Sequence, residues 1–215
     1  MNGAGDAAVF VEQGITLSWG ELRQRADDLA AALLAIGIRR GNRVAIWSPN
    51  RVEWLITQFG TARIGAILVN INPAYRTHEL EYALNKVRAR VLIMAPSLKS
   101  SDYVAMMQEL APELNRPPTA DQMLDAERLP SLKHVVVLSP IQAGTDQQLP
   151  RAAISWEQLL AGAGLAHRNR LDDLTNALDP DDPINIQFTS GTTGRPKRAP
   201  VLVPQWCSPA SRLIP

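Results

Sequence analysis

Six consecutive residues, Thr189, Ser190, Gly191, Thr192, Thr193 and Gly194, are all small or hydroxyl-bearing, and Lys197 follows them after Arg195 and Pro196. Glycines let successive backbone N–H groups converge on an anion with no Cβ in the way. Three threonines and a serine add hydroxyl donors, and the lysine supplies a compact positive charge. Residue types in this order suit the cradling of a polyphosphate. By composition alone the cluster would read as a polar turn after a strand.

Other chemical readings fail on spacing. A Walker-type loop needs a Ser or Thr directly after a Gly-Lys pair, whereas Lys197 stands between Pro196 and Arg198. A nucleophile elbow around Ser190 needs glycine two residues away on each side, where Phe188 and Thr192 stand. His78 and Glu79 begin like a zinc-protease helix, but Tyr82 occupies the second histidine's place, and His134 and His167 lie in unrelated contexts. Gly162, Ala163 and Gly164 lack the preceding strand and third glycine of a dinucleotide fingerprint. No metal site is expected. Cys207 is the only cysteine, which excludes an internal disulfide framework and fits a reducing compartment.

The elements that must position the cluster are legible around it. Short apolar runs at 44–47, 66–69, 91–94, 135–138 and 184–188 are rich in β-branched residues and too short for helices, so each reads as a buried strand. Between them lie helix patterns. Ser18 with Glu21 forms a capping-box pair ahead of Leu22, Ala26, Leu29 and Leu33, with Gly37 as the stop. Asn50 with Glu53 opens a second helix, Leu80, Ala83, Leu84 and Val87 stripe a third, and Ser155 with Gln158 starts a fourth. Strands without in/out polarity that alternate with helices predict an α/β fold with a mainly parallel sheet covered on both faces. Residues 112–132 and 140–150 read as loops packed on the outside. Segment 199–215 holds Pro200, Pro204, Pro209 and Pro215 and reads as an aberrant, disordered tail after a partial domain at 1–198.

Lys and Arg total 22 against 21 Asp and Glu, a net charge of +1, so no overall field draws nucleic acid. No apolar stretch reaches the roughly 20 residues of a membrane span, and the first residues lack a secretory or transit pattern, so a cytoplasmic location is expected.

The segment from Thr189 to Lys197 resembles the phosphate-loop signature of the adenylate-forming (AMP-binding) superfamily at every specified position. The likeness extends upstream: Leu17 to Leu22 resembles the family's early helix-start motif, Gly41 to Ile46 with Asn50, Glu53 and Trp54 resembles its first strand–helix unit, and Gly65 to Tyr75, Glu79 to Tyr82 and Asp182 to Phe188 are similar to acyl-CoA synthetases of the medium-chain fatty-acid type. The resemblance implies the large N-terminal domain of the acyl-adenylate-forming fold. Its implied reaction joins a carboxylate to ATP as an acyl-adenylate, releasing pyrophosphate, and then passes the acyl group to coenzyme A. It implies ATP with Mg, fatty acid and coenzyme A as small-molecule partners. Thr189, Ser190, Gly191, Thr192, Thr193 and Gly194 would wrap the β- and γ-phosphates, and Lys197 would add charge as the one catalytic candidate.

Departures from the family pattern start directly after Lys197. Arg198 stands where the family has glycine, which implies a positive φ or a close backbone approach there. The family's adenine, ribose and Mg-positioning motifs and its C-terminal domain have no counterpart in these 215 residues. A ligase fragment inactive by itself is therefore expected. The alternative is a non-catalytic product or an interaction module with at most weak phosphate binding.

Overall fold

The computed structural model describes residues 6–10, 13–117, 123–140, 149–189 and 197–201. The chain opens on an antiparallel hairpin of β1 (Asp6–Phe10) and β2 (Ile15–Ser18) and enters the long helix α1 (Trp19–Ala35). The capping box forms as its sequence predicts. Ser18 Oγ accepts the Glu21 N–H at 3.2 Å, and the Glu21 carboxylate accepts the Ser18 N–H at 2.8 Å.

Strand and helix then alternate: β3 (Arg43–Trp47), α2 (Val52–Arg63), β4 (Ile67–Asn70), α3 (Thr77–Val87) and β5 (Val91–Met94). A two-rung hairpin, β6 (Ser97–Leu98) with β7 (Ser101–Asp102), leads into α4 (Tyr103–Leu110). Next come β8 (His134–Val137), β9 (Ala153–Ser155), α5 (Trp156–Ala161), α6 (Leu165–Arg168), α7 (Leu171–Asn176), β10 (Asn185–Thr189) and β11 (Lys197–Val201). The seven-stranded sheet has the order β11-β10-β4-β3-β5-β8-β9, parallel throughout except that β11 runs antiparallel to β10.

Each central strand feeds two cores. Ala45, Trp47, Val69, Leu92, Met94, Val135 and Val137 pack with α3 and α4 on one face, while Val44, Ile46, Leu68, Val91, Ile93 and Val136 pack with α1, α2 and α5 on the other. The period of two in a strand makes this split. Helix α2 lies close on α1 because Gly60 carries no Cβ: one added there would meet the Ala26 carbonyl at 3.0 Å and Leu29 at 3.1 Å.

Two expectations are corrected. The N-cap of α2 is Arg51, not Asn50, and its own side chain makes no capping bond. Gln13 reaches across from the turn before β2, and its Oε1 accepts the Val52 N–H at 2.7 Å. Arg51, 3% exposed, meanwhile holds Glu53 through two bonds of 3.0 and 2.9 Å. Nor is the loop at 112–132 merely external. After a 3-10 turn at Pro112–Asn115, Leu114, Leu124, Leu129 and Leu132 are buried in the α3/α4 core, so its spaced leucines pack as a core segment lacking helical period.

Gly65 sits at φ +66, and an added Cβ would come within 2.6 Å of Leu178 and 2.9 Å of Arg40. Gly65→Ala is expected to destabilise the fold by about 1–2 kcal/mol from the left-handed backbone alone. Gly20→Ala, on α1 with only Ser18 Oγ at 3.9 Å, should be neutral or stabilising by up to ~1 kcal/mol. Paired urea melts measure the contrast.

Burial pushes the Glu53 carboxyl up, but hydrogen bonding and charge from Arg51, with Gln13, outweigh it and hold the group below its ordinary value. Its contribution to stability is therefore present above the ordinary carboxylate range and lost as pH falls through the lowered value. Arg51→Met should cost roughly 3 kcal/mol at neutral pH by stranding a buried carboxylate. That cost should shrink on acidification as Glu53 takes up a proton, which denaturant melts at pH 7 and pH 4 would follow.

Candidate phosphate-binding site

The parallel strands set where the hydroxyl- and glycine-rich segment emerges. Strand β10 pairs with β4 through Asn185↔Leu68, Ile186↔Val69 and Gln187↔Asn70. Since β4 ends at Asn70, Phe188 and Thr189 run past its last rung at the carboxyl edge of the sheet. There β11 turns back, with Thr189 opposite Lys197 and Phe188 opposite Arg198. Facing residues of an antiparallel pair have Cα atoms roughly 4.5–5.5 Å apart. The two ends of the candidate loop are thus fixed to one rung. Of the seven candidate residues, the structure brings Thr189 and Lys197 together; Ser190, Gly191, Thr192, Thr193 and Gly194 lie outside the described residues.

The hairpin overturns two readings of the sequence. Arg198 lies inside an extended strand, so a left-handed backbone is not what separates it from glycine. Ala199, Pro200 and Val201, assigned to the disordered tail, belong to β11. Its place at the sheet edge is where a strand tolerates proline, whose missing N–H need not face a partner. Residues 202–215 lie outside the described residues.

An amide ladder holds β10 in place. Asn185 is 6% exposed, and its Nδ2 donates to Gln58 Oε1 on α2 at 2.8 Å. Its Oδ1 accepts from Asn70 Nδ2 on β4 at 3.3 Å. Asn70 Oδ1 is buried and has no hydrogen-bond partner. Sequence reasoning missed Gln58, Asn70 and Asn185 as anchors; the available signal was an asparagine at one end of each of two apolar strands. The approach to β10 is clasped as well. Arg63 on α2 bonds Asp27 at 2.7 Å, Asp172 at 2.8 Å and Thr175 Oγ1 at 2.7 Å, and Arg40 pairs with Asp182 at 2.6 Å. Arg168 likewise pairs with Asp28. Burial pushes the Arg63 guanidinium pKa down, and its bonds to Asp27 and Asp172 raise it above the ordinary value, so the clasp stays charged.

Doubly wound sheets usually bind ligands where the strand order reverses, here outside the carboxyl ends of β3 and β5. That crevice is filled. Trp47, fully buried at the end of β3, stacks on Tyr103 with ring centroids 3.7 Å apart and planes 8° from parallel. The Tyr103 hydroxyl donates to the Pro73 carbonyl at 2.5 Å, and burial pushes its pKa up to about 12, so the donor keeps its proton.

Among the described residues no group of three or more His, Cys, Asp or Glu converges as a metal ion would require, and no helix is long and apolar enough to cross a membrane. An open depression of ≈ 440 Å³ on α3, lined by His78, Glu81, Tyr82, Asn85 and Lys86, is braced by Arg128, which bonds Glu81 at 2.6 Å.

The chain is similar to known proteins in both sequence and fold. A medium-chain acyl-CoA ligase of Danio rerio, ACSF2, described as mitochondrial, is 42% identical over 194 residues, covering 90% of this chain and 30% of that protein. The chain thus spans about 30% of the length of this curated relative. The fold matches the crystal structure of the anthranilate CoA ligase AuaEII in complex with anthranoyl-AMP (TM-score 0.66, 24% identity, 94% of this chain and 32% of that one). It also matches the acetoacetyl-CoA synthetase of Streptomyces lividans (TM-score 0.66, 24% identity, 91% and 27%). The profile of the AMP-binding enzymes aligns with residues 1–211, nearly the entire sequence, and the chain belongs to that family.

Proposed function

We propose that this chain carries the triphosphate-binding hairpin of an ATP-dependent fatty-acid–CoA ligase. The observation that carries the reading is the run from Thr189 to Lys197, whose ends pair on one rung at the carboxyl edge of a parallel sheet. Thr189, Ser190, Gly191, Thr192, Thr193 and Gly194 supply N–H and hydroxyl donors to the β- and γ-phosphates, and Lys197 supplies charge. Such groups act by positioning and electrostatics rather than by covalent chemistry. Mg²⁺ would arrive with the triphosphate and neutralise part of its charge. The described residues offer no carboxylate set of their own for it.

Fatty acid and coenzyme A are the co-substrates in this reading, with a cytoplasmic location, and the 215 residues alone complete no turnover. Support comes from the share of the Danio rerio ligase that the chain spans, 30%. An interaction module that docks through the β11 edge is the alternative; Pro200 removes a donor from that edge and weighs against it.

Two measurements test the proposal. Fluorescent ATP analogues should bind weakly and reversibly, and Lys197→Ala should weaken them about tenfold or more, since a hydrogen bond to a charged group contributes ~1.5–3 kcal/mol. Unchanged affinity in Lys197→Ala would remove the hairpin from nucleotide binding. Fatty-acid-dependent exchange of labelled pyrophosphate into ATP should be undetectable with the chain alone. A rate that disappears in Lys197→Ala would show instead that it is a working enzyme.

A further inference from the structure

The amino edge of the sheet, opposite the β10–β11 hairpin, gathers positive charge that the ligase reading does not use. Arg43 begins β3, Arg90 directly precedes β5, and Lys133 directly precedes β8. Backbone bonds set them abreast: the Arg90 N–H donates to the Arg43 carbonyl at 2.9 Å, and the Lys133 N–H to the Arg90 carbonyl at 2.8 Å. Arg88 joins them from the end of α3.

Arg43 has a structural task. Its guanidinium donates to the carbonyls of Val87 and Arg88 at 2.5 and 3.0 Å, which satisfies the carboxyl end of α3, and to the Gly41 carbonyl at 2.9 Å. The other three have no such task. Among the described residues Arg88, Arg90 and Lys133 form no ion pair, and Arg90 Nε is buried with no acceptor. Arg88 holds φ 52 and ψ 54, a left-handed cap that glycine or asparagine would fill with less strain. Asp125, next to Leu124, whose N–H bonds the Lys133 carbonyl, is exposed and makes no ion pair among the described residues. Burial, and then the charges of Arg88 and Arg90, push the Arg43 pKa down, which shows how closely the like charges are grouped.

We propose that Arg88, Arg90 and Lys133, backed by Arg43, form a binding site for one small oxyanion of the phosphate class, separate from the hairpin at the other edge of the sheet. Adjacent strands lie about 4.8 Å apart, so side chains rooted on β3, β5 and β8 span roughly 10 Å, a distance over which long cationic side chains close on a single tetrahedral anion. Arg90 is half-buried, with its Nε shielded and without an acceptor, so the exposed part of its guanidinium is what an anion would meet, and the left-handed Arg88 is a strained choice that a cation's work there accounts for. A polyanion is the poorer fit, because a chain of net charge +1 offers no extended field to a nucleic acid or an anionic membrane.

Titration of the full chain with inorganic phosphate, in low-salt buffer free of other multivalent anions, tests the site by calorimetry and by thermal shift. One phosphate per chain should bind saturably and raise the Tm. Arg90→Gln should weaken it at least tenfold. Arg88→Gly guards against loss of folding, because it relieves the left-handed strain: it should melt no lower than the parent yet bind phosphate several-fold more weakly. Absence of saturable binding overturns the proposal, as does binding that survives Arg90→Gln and Arg88→Gly but is lost in Lys197→Ala. Tighter binding of single-stranded DNA or phosphatidylserine vesicles than of phosphate, lost in Arg90→Gln, would overturn the small-anion assignment in favour of a polyanion surface.

Discussion

A parallel sheet has no face to spare for water, and that constraint shapes everything else in this chain. Each of β3, β5 and β8 must send alternate side chains into two separate apolar layers, so both layers need a roof. The α1, α2 and α5 helices roof one, and α3 with α4 the other. Once both are covered, only the strand ends remain available for chemistry. At the carboxyl ends of β3 and β5 the Trp47–Tyr103 stack closes even that opening. The hydroxyl- and glycine-rich segment begins on the flank where β10 overruns β4 and β11 turns back.

Holding β10 on that flank takes polar work inside an apolar setting. Gln58, Asn185 and Asn70 make a short amide chain from α2 through β10 to β4, and the bonds are directional where hydrophobic contact is not. A slip of one residue would turn Asn185 away from Gln58 and set Ile186 in its place, so the ladder favours a single register. The Arg63 clasp does similar work farther back, with α1, α2 and α7 meeting at one guanidinium. Its pair with Asp172, whose side chain is 77% exposed, contributes little stability by itself, and its value is in where it directs the chain.

Legibility in the sequence follows the range of the interaction. The strands at 91–94 and 184–188 and the capping boxes at Ser18 and Ser155 were readable because their signals are local: continuous β-branched runs, and hydroxyl-to-carboxylate or hydroxyl-to-amide pairs three residues apart. The start of α2 was misread because its cap comes from Gln13, 39 residues away. The leucines of 112–132 were misread because a core segment without helical or strand period carries no pattern to recognise. Pro200 reads as part of a disordered tail because proline is excluded from a central strand, whereas β11 has a neighbour on one side only among the described residues. The hydroxyl- and glycine-rich run stands out in the sequence by the order of its residues, but nothing local could show that Thr189 and Lys197 share a rung.

The position of β10 also governs the order in which the molecule can assemble. Asn70 and Asn185 touch across 115 residues of chain, while β3, β4 and β5 reach their neighbours through short helical crossovers. During synthesis the ribosome releases everything from β3 to β9 before β10 exists, so that unit can close around both apolar layers while the flank beside β4 stays empty. Long loop closure slows the last docking step, and until it occurs the Asn70 amide and the edge of β4 face solvent. The β10–β11 hairpin thus joins a scaffold already formed, and its docking is the step at which a nascent chain passes from a folded α/β unit to one whose carboxyl edge carries the Thr189–Lys197 rung.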